Sequence, residues 1–281
     1  MLDIVLDGVL DTVKLLPYLF ITFLVLELIE HKFSNKNEVI LSKNKKYGPL
    51  FGGLLGAFPQ CGFGVVASNL FSNKVITMGT LIAVFLSTSD EMLPIMISEK
   101  TNVLTLLKII GFKVLIGISV GYIVDLLYRR VINTNKDNIH HMCEEEHCSC
   151  NEHGVIISSI IHTIKIALFI VGANIVINLI INGIGEENIL NFLLNKSIIS
   201  HFICSLVGLI PNCASSVIIT KLYLSNLISI GNLFSGLLTG SGIGILLLFK
   251  TNKNIKENIS IVTIIYFVGV LIGIIMDLFI K

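Results

Sequence analysis

Long apolar segments dominate this sequence and limit the folds that the chain can adopt. Each is about 20 residues or longer, the length that an α-helix needs to cross the roughly 30 Å hydrocarbon core of a bilayer. We predict an all-α, multi-pass protein of the cell membrane. Eight such segments lie at about residues 10–30, 49–71, 75–98, 102–128, 155–182, 198–222, 226–249 and 259–280.

Composition agrees with a membrane location and argues against nucleic-acid binding. Hydrophobic residues make up 53% of the 281 positions, charged residues make up 14%, and mean hydropathy is +0.86. A water-soluble domain of this size could not bury so much apolar surface. The net charge is +1 and the only arginines are Arg129 and Arg130, so the chain has no basic face to neutralise phosphates.

The second half of the chain repeats the first at a distance of 152 residues. Without a gap, this shift places the motif GAFPQC at 56–61 on GLIPNC at 208–213. The same register pairs Gly121 with Gly273 and Asp125 with Asp277. Apolar composition can align leucine with leucine, but it does not align Gly, Pro, Cys and Asp together, and we infer a tandem duplication. We therefore divide the chain into a first membrane repeat (1–128), a His/Cys/Glu-rich cytoplasmic loop (129–153) and a second membrane repeat (154–281).

The second apolar segment of each repeat is interrupted at its middle by a Gly-x-x-Pro-Gln/Asn-Cys motif. Proline removes a backbone donor and ends or kinks a helix, which leaves two arms of about ten residues, half the length of a span. Two interpretations are open. The segment is either a re-entrant hairpin, which enters and leaves on one side of the membrane, or a continuous helix with a proline kink.

The distribution of lysine and arginine favours the re-entrant interpretation. With two re-entrant hairpins, each repeat crosses three times and the repeats have opposite orientations, as in many secondary transporters. Eight full crossings would instead place the segments 32–46 and 129–153 on opposite sides. We therefore predict tandem, inverted repeats with broken or re-entrant helices. The positive-inside rule then assigns all the basic segments to the cytoplasm: 32–46, Lys74, Arg129 with Arg130, and 250–256.

The two Pro-x-Cys breaks offer polar groups for a solute site. A broken helix exposes carbonyls, and the arm after each cysteine points free N–H groups at the turn. Such backbone is tolerated at membrane depth where it lines a cavity, and opposed hairpins bring the breaks together near the midplane. The alternative is that each cysteine is a small packing residue. The candidate pathway residues here are Pro59, Gln60, Cys61, Pro211, Asn212, Cys213, Ser215 and Ser216.

The third apolar segment contains a polar stretch near its centre, which includes Ser89, Asp90 and Glu91. An ionised carboxylate at this depth is expensive and normally marks an ion pathway, a proton relay or a buried pair. Lys113, near the middle of the fourth segment, is the obvious counter-charge, so a structural Asp90–Lys113 pair is the alternative. The second repeat has Ser241 at the position of Ser89 but no carboxylate. We include all five residues in the candidate pathway.

The loop between the repeats concentrates metal-binding side chains at 140–153. Thiolate and imidazole together suit zinc, copper and other soft to borderline ions. Their spacing does not match a zinc finger, so we predict a flexible loop that collects or senses metal, with an inert polar linker as the alternative. The candidate ligands are His140, His141, Cys143, His147, Cys148, Cys150 and His153.

Three features together resemble a known family. They are the duplicated Pro-Gln-Cys and Pro-Asn-Cys breaks, the Ser-Thr-Ser-Asp-Glu stretch at 87–91, and the His/Cys/Glu loop. The chain is similar over nearly its whole length to the heavy-metal exporters that are described as arsenic efflux proteins or manganese transporters. The resemblance implies a membrane protein that exports a heavy metal. That family is described with ten membrane helices, and splitting the broken segments reconciles this number with eight apolar segments.

We expect a secondary transporter that exports a metal or metalloid ion from the cytoplasm. No Walker-type phosphate-binding motif is present, so the expected energy source is proton or ion exchange through Asp90 and Glu91. Cysteines favour arsenite-like solutes, whereas carboxylate, hydroxyl and amide oxygens favour manganese, and the choice stays open. No cofactor is required, because the metal is the substrate.

Two other classes of protein deserve comparison. A membrane enzyme with paired re-entrant hairpins would need a cationic clamp for phosphate chemistry, and both arginines lie at a loop boundary. A membrane-anchored metal sensor would need neither a duplication nor carboxylates inside the membrane. We therefore expect a transporter and no enzymatic activity.

Overall fold

The computed structural model describes residues 47–58, 61–89, 92–128, 198–211 and 213–279, with single positions at 20, 24, 160, 163, 164, 168, 171 and 172. These residues form helices joined by short turns, and no strand occurs among them. The predicted all-α fold class is therefore confirmed for this part of the chain.

The described helices fall into two sets of five with matching bounds. The first set is α1 Gly48–Gly56, α2 Cys61–Ser72, α3 Met78–Ser87, α4 Met92–Ser98 and α5 Val103–Tyr128. The second set is α6 Ile198–Gly208, α7 Cys213–Leu224, α8 Ile230–Thr239, α9 Ile243–Thr251 and α10 Ile255–Phe279. The bounds of α2 and α7, and those of α3 and α8, differ by the 152 residues of the sequence register.

Four stretches in the described residues are long and apolar enough to cross a membrane. Two of them, α5 and α10, are continuous helices of 26 and 25 residues. The other two are the broken pairs α3 with α4 and α8 with α9. Together they make the chain a multi-pass membrane protein, as predicted.

The broken pairs form the interior of the protein and the continuous helices lie outside them. Leu81 and Phe85 of α3 and Leu233 of α8 are completely buried. In contrast, Leu126 of α5 and Leu278 of α10 are 72% and 73% exposed. Apolar side chains on an outer surface are stable against lipid but not against water. The breaks are therefore enclosed by protein, as irregular backbone at membrane depth must be.

Helices α1 and α2 form a hairpin that begins and ends on one side of the molecule. Gly48 lies against Thr80 near the start of α3, and Gly56 lies against Ser87 at its end, so α1 runs parallel to α3. Helix α2 then returns, because only residues 73–77 separate its end from the start of α3. This is the course of a re-entrant hairpin and not of a kinked spanning helix.

Helices α6 and α7 follow the same course in the second half. Ser200 Oγ donates to Asn232 Oδ1 over 2.9 Å near the start of α8. Gly208 lies against Thr239 at the end of α8, so α6 and α8 are parallel. Residues 225–229 then join α7 to α8, which again returns the chain to the side where the hairpin began.

The two halves run through the molecule in opposite directions. The hydroxyl of Tyr128, the last residue of α5, lies 3.0 Å from Ser260 Oγ near the start of α10. Since α5 and α10 hold the same place in their halves, the end of one beside the start of the other means that the halves are antiparallel.

A carboxylate of each continuous helix caps the broken helix beside it. Asp125 accepts hydrogen bonds from Gly79 N over 2.8 Å and from Thr77 Oγ1 over 2.7 Å. A negative charge at a helix N-terminus satisfies free N–H groups and interacts favourably with the helix dipole. The second half repeats these bonds over 2.7 and 2.5 Å with Asp277, Gly231 and Ser229.

Candidate functional site

Helices α3 and α8 end close to each other inside the protein, and polar residues occupy both ends. Hydroxyl side chains fill these positions, and each is at most 3% exposed. A buried hydroxyl group costs free energy unless it has a hydrogen-bond partner. The grouping of five buried hydroxyl residues at the breaks is therefore a specific feature of this site. The residues are Ser87, Thr88 and Ser89 at the end of α3, and Thr239 and Ser241 at the end of α8.

The hydroxyl groups of the two breaks donate in matching ways. Ser87 and Thr239 each donate to the carbonyl four residues earlier, over 2.7 and 3.1 Å. Ser89 and Ser241 each donate to the carbonyl two residues earlier, over 3.2 and 3.4 Å. These bonds use the hydroxyl protons, so each oxygen keeps lone pairs that can accept a further bond.

Lys113 of α5 joins the two breaks. Its side chain is 1% exposed, and its ammonium group donates to the main-chain carbonyls of Thr88 and Leu237, the latter over 2.9 Å. These carbonyls belong to the C-terminal ends of α3 and α8, where the helix dipole favours a cation. Burial of an ammonium group costs free energy unless the group is well hydrogen-bonded. The backbone around Lys113 must therefore keep both carbonyls in place.

The break after α8 leaves a carbonyl available for Lys113. In a continued helix, Ser241 N would donate to Leu237 O, but it donates to Thr239 O over 2.9 Å instead. The backbone turns sharply here, because Gly242 has a φ of 54°, in the left-handed region that favours glycine. The position equivalent to Lys113 is Ile265, which is completely buried. The two halves therefore share one central lysine.

The cysteine of each Pro-x-Cys motif is the first residue of a helix: α2 begins at Cys61 and α7 begins at Cys213. Both helix N-termini follow a break, as predicted. The side chains of these two cysteines, and the residues Pro59, Gln60 and Asn212, lie outside the described residues.

Three further candidates of the second break are described. Pro211 is partly buried beyond the end of α6. Ser215 is 4% exposed and donates to Ile210 O over 3.3 Å, and Ser216 is partly buried in α7. The serine pair thus lies on the first turn of α7, next to the break itself.

Each re-entrant hairpin packs on the broken helix of the other half, α2 on α9 and α7 on α4. In the first contact, the close approach of Gly64 and Gly244 allows Ser68 Oγ to donate to Gly244 O over 2.7 Å. Ser72 Oγ lies 2.6 Å from Thr251 Oγ1. Beyond these two helices, Lys74 Nζ in the turn after α2 lies 3.2 Å from Glu257 Oε2 at the start of α10. We name these three links the polar ladder.

The second contact cannot form the same ladder. Leu224 and Glu99 stand where Ser72 and Thr251 stand in the first, and leucine has no side-chain donor or acceptor. Asn226 and Thr105 replace the ion pair of Lys74 and Glu257. The two contacts between the halves therefore differ in chemistry although the helices correspond.

Further candidate site residues lie outside the part of the chain that the structure describes. Asp90 and Glu91 lie outside the described residues, as does the whole loop 129–153 with its seven candidate metal ligands. Within the part of the chain that the structure describes, no group of three or more His, Cys, Asp or Glu side chains could hold a metal ion.

Sequence reasoning did not find every residue that holds the broken helices in place. Thr88 and Leu237 act through main-chain carbonyls, which leave no signature in a sequence. His201 Nε2 lies 3.1 Å from Asp277 Oδ2, and so it supports the cap of α8. One sequence feature could have indicated the polar ladder, namely Gly244 in one helix and the serines of α2 in another. This pattern is common in membrane helices, so it does not identify a specific contact.

Comparison with known proteins supports a multi-pass membrane protein. The family model described as "Putative, 10TM heavy-metal exporter" matches residues 2–184, well over half of the chain. No curated protein and no solved structure matches the chain. With broken, membrane-spanning helices around a buried polar centre and this match, the chain belongs to the family of 10TM heavy-metal exporters.

Proposed function

We propose that the chain is a secondary transporter that exports a metal or metalloid ion from the cytoplasm through the centre where α3 and α8 end. The observation that carries this proposal is Lys113, a buried cation that bonds to the broken helix of both halves. Membership of a heavy-metal exporter family supports the cargo class. The lack of a Walker-type motif supports transport without ATP hydrolysis by this chain.

An inverted duplication gives this centre access to both sides of the membrane. The matching helix bounds, the equivalent caps by Asp125 and Asp277, and the antiparallel halves support the duplication. In such proteins the two hairpins approach from opposite sides, and rocking of one half against the other alternates access. The polar ladder closes the contact of α2 with α9, and we propose that this contact and that of α7 with α4 open in turn.

The centre can bind either kind of cargo that the sequence suggests. Cys61 and Cys213 would supply thiols for an arsenite-like solute. Gln60, Asn212 and Ser89 would supply oxygen atoms for manganese. The positive charge of Lys113 discriminates between these cargoes, because it repels a divalent cation but not a neutral metalloid.

Asp90 and Glu91 provide the negative charge that a cationic cargo would need. In the sequence they directly follow Thr88 and Ser89, which belong to the break. We propose that these carboxylates exchange protons for the cargo, so that the net charge of the centre changes little during a cycle. The loop 129–153 would then collect metal on the cytoplasmic side without forming part of the route.

Transport into everted membrane vesicles tests the function directly. Vesicles with wild-type protein, with Lys113→Met and without the protein are given arsenite, manganese, zinc or cobalt under a proton gradient. We expect the wild type to accumulate at least one of these and Lys113→Met to lose most of this uptake. Lys108→Met is the matched control, because Lys108 lies on the same helix with an exposed side chain. Wild-type uptake no higher than that of empty vesicles, for all four solutes, would contradict the proposal.

A further inference from the structure

The position of Lys113 has the chemistry of a cation site. Two main-chain carbonyls converge on its ammonium group, and each comes from the C-terminal end of a different broken helix. In transporters with broken helices, carbonyls at such ends coordinate sodium ions or interact with protons. The same groups therefore suit a small monovalent cation that has lost its water.

Lys113 lies among apolar helices, and its ammonium group contacts the C-terminal ends of two of them. Helices α1, α3 and α4 pack on α5, and Leu237 of α8 accepts a hydrogen bond from Lys113. These four helices contain no charged residue. The acidic residues nearest in sequence are Asp90 and Glu91, which connect α3 to α4. The carbonyl oxygens of Thr88 and Leu237 and the dipoles of α3 and α8 contribute to the stabilisation of the ammonium group.

We propose that Lys113 is a built-in replacement for a bound monovalent cation such as sodium. Its ammonium group occupies the place between α3 and α8 where a free cation would otherwise hold the two helix ends together. Carbonyl oxygens of Thr88 and Leu237 are the ligands. One lysine serves both halves, since the equivalent position is Ile265.

The physiological consequence of this replacement rests on the proposed transport function. It is that the transport cycle of this chain runs without bound sodium. The binding site itself does not depend on the cargo. Shortening Lys113 to alanine removes the charge and opens a cavity against the two carbonyls, so a free cation can enter. Replacement by methionine removes the charge but fills the same space with an apolar chain.

Thermal unfolding of the purified full chain tests the site without measuring transport. Wild type, Lys113→Ala, Lys113→Met and the control Lys108→Ala are compared in sodium, potassium and N-methylglucamine chloride of equal ionic strength. We expect sodium or potassium to raise the midpoint of Lys113→Ala by several degrees, with saturation, relative to N-methylglucamine. The other three proteins should show the same midpoint in all three salts.

Two results would overturn the proposal. One is a folded Lys113→Ala variant whose midpoint is the same in all three salts, since the ammonium group would then be a structural bond alone. The other is a wild-type protein that requires sodium for transport in the vesicle assay, a measurement that stays decisive even if Lys113→Ala does not fold. Failure of the vesicles to transport any metal would contradict the proposed function but leave the unfolding result valid.

Discussion

Lys74 and Glu257 form an ion pair of 3.2 Å that joins the turn after α2 to the start of α10. The pair places both segments on one side of the membrane. If each of the eight apolar segments crossed completely, the turn after the second and the turn after the seventh would lie on opposite sides. The ion pair therefore supports re-entrant hairpins, and it agrees with the charge distribution that predicted a common cytoplasmic side for these segments.

Cross-linking this pair should stop transport reversibly. We expect a short thiol-reactive cross-linker to block metal uptake by Lys74→Cys/Glu257→Cys, because the polar ladder must separate when α2 moves from α9. Cleavage of the cross-linker should restore uptake. Single variants are the control for the reagent. Full uptake by protein shown to be cross-linked would mean that this contact stays closed throughout the cycle. The attraction between the two charges contributes little to the stability of the fold, about 1 kcal/mol or less, because the side chains are 42% and 33% exposed.

Close contact of α3 with α5 should make Gly121 sensitive to substitution. A Cβ at Gly121 would lie 2.6 Å from the carbonyl oxygen of Gly79, so the helices must separate to admit it. We expect Gly121→Ala to lower stability by about 1–3 kcal/mol. Gly111→Ala on the same helix is the matched control, since nothing lies within 4 Å of its added Cβ. This control should be neutral or slightly stabilising, and equal unfolding midpoints for the two variants would contradict the packing.

The capping carboxylates should matter unequally in the two halves. Asp125→Ala removes the bonds to Thr77 and Gly79, and we expect a loss of about 1–2 kcal/mol. Asp277→Ala should be more damaging, because it also removes the contact with the buried His201. Thermal unfolding in detergent measures both, with Leu126→Ala as a lipid-facing control. An Asp125→Ala variant as stable as that control would show that the cap contributes nothing.

The sequence predicted the architecture well because its signals are strong and local. Proline at 59 and 211 marked the breaks, and the shift of 152 residues anticipated helix ends that agree between α2 and α7. The central site was harder to predict. The sequence offered Asp90 as a partner for Lys113, and that pairing stays a prediction because Asp90 lies outside the described residues. The sequence did not predict the contacts of the Lys113 ammonium group with the carbonyls of Thr88 and Leu237. A carbonyl freed by a helix break is a property of backbone geometry, which residue types do not encode.

Neutral replacements at 90 and 91 should reveal the coupling ion. Asp90→Asn and Glu91→Gln keep size and hydrogen bonding but cannot release a proton. We expect one of them to abolish uptake or to remove its dependence on the proton gradient. Uptake at several pH values, with and without a protonophore, measures this. If both variants transport with the wild-type pH profile, the carboxylates are structural partners of the centre.

The two cysteines that begin α2 and α7 can distinguish between the possible cargoes. Thiolates bind soft ions strongly, whereas a hard ion such as manganese prefers oxygen. Serine keeps an oxygen at each position and removes the sulfur. Cys61→Ser combined with Cys213→Ser should therefore abolish export of an arsenite-like solute but only reduce export of manganese. Cys204→Ser is the control, because Cys204 is a buried free cysteine within α6, away from the break. Wild-type export of every metal by the double variant would show that both cysteines are packing residues and that the cargo binds elsewhere.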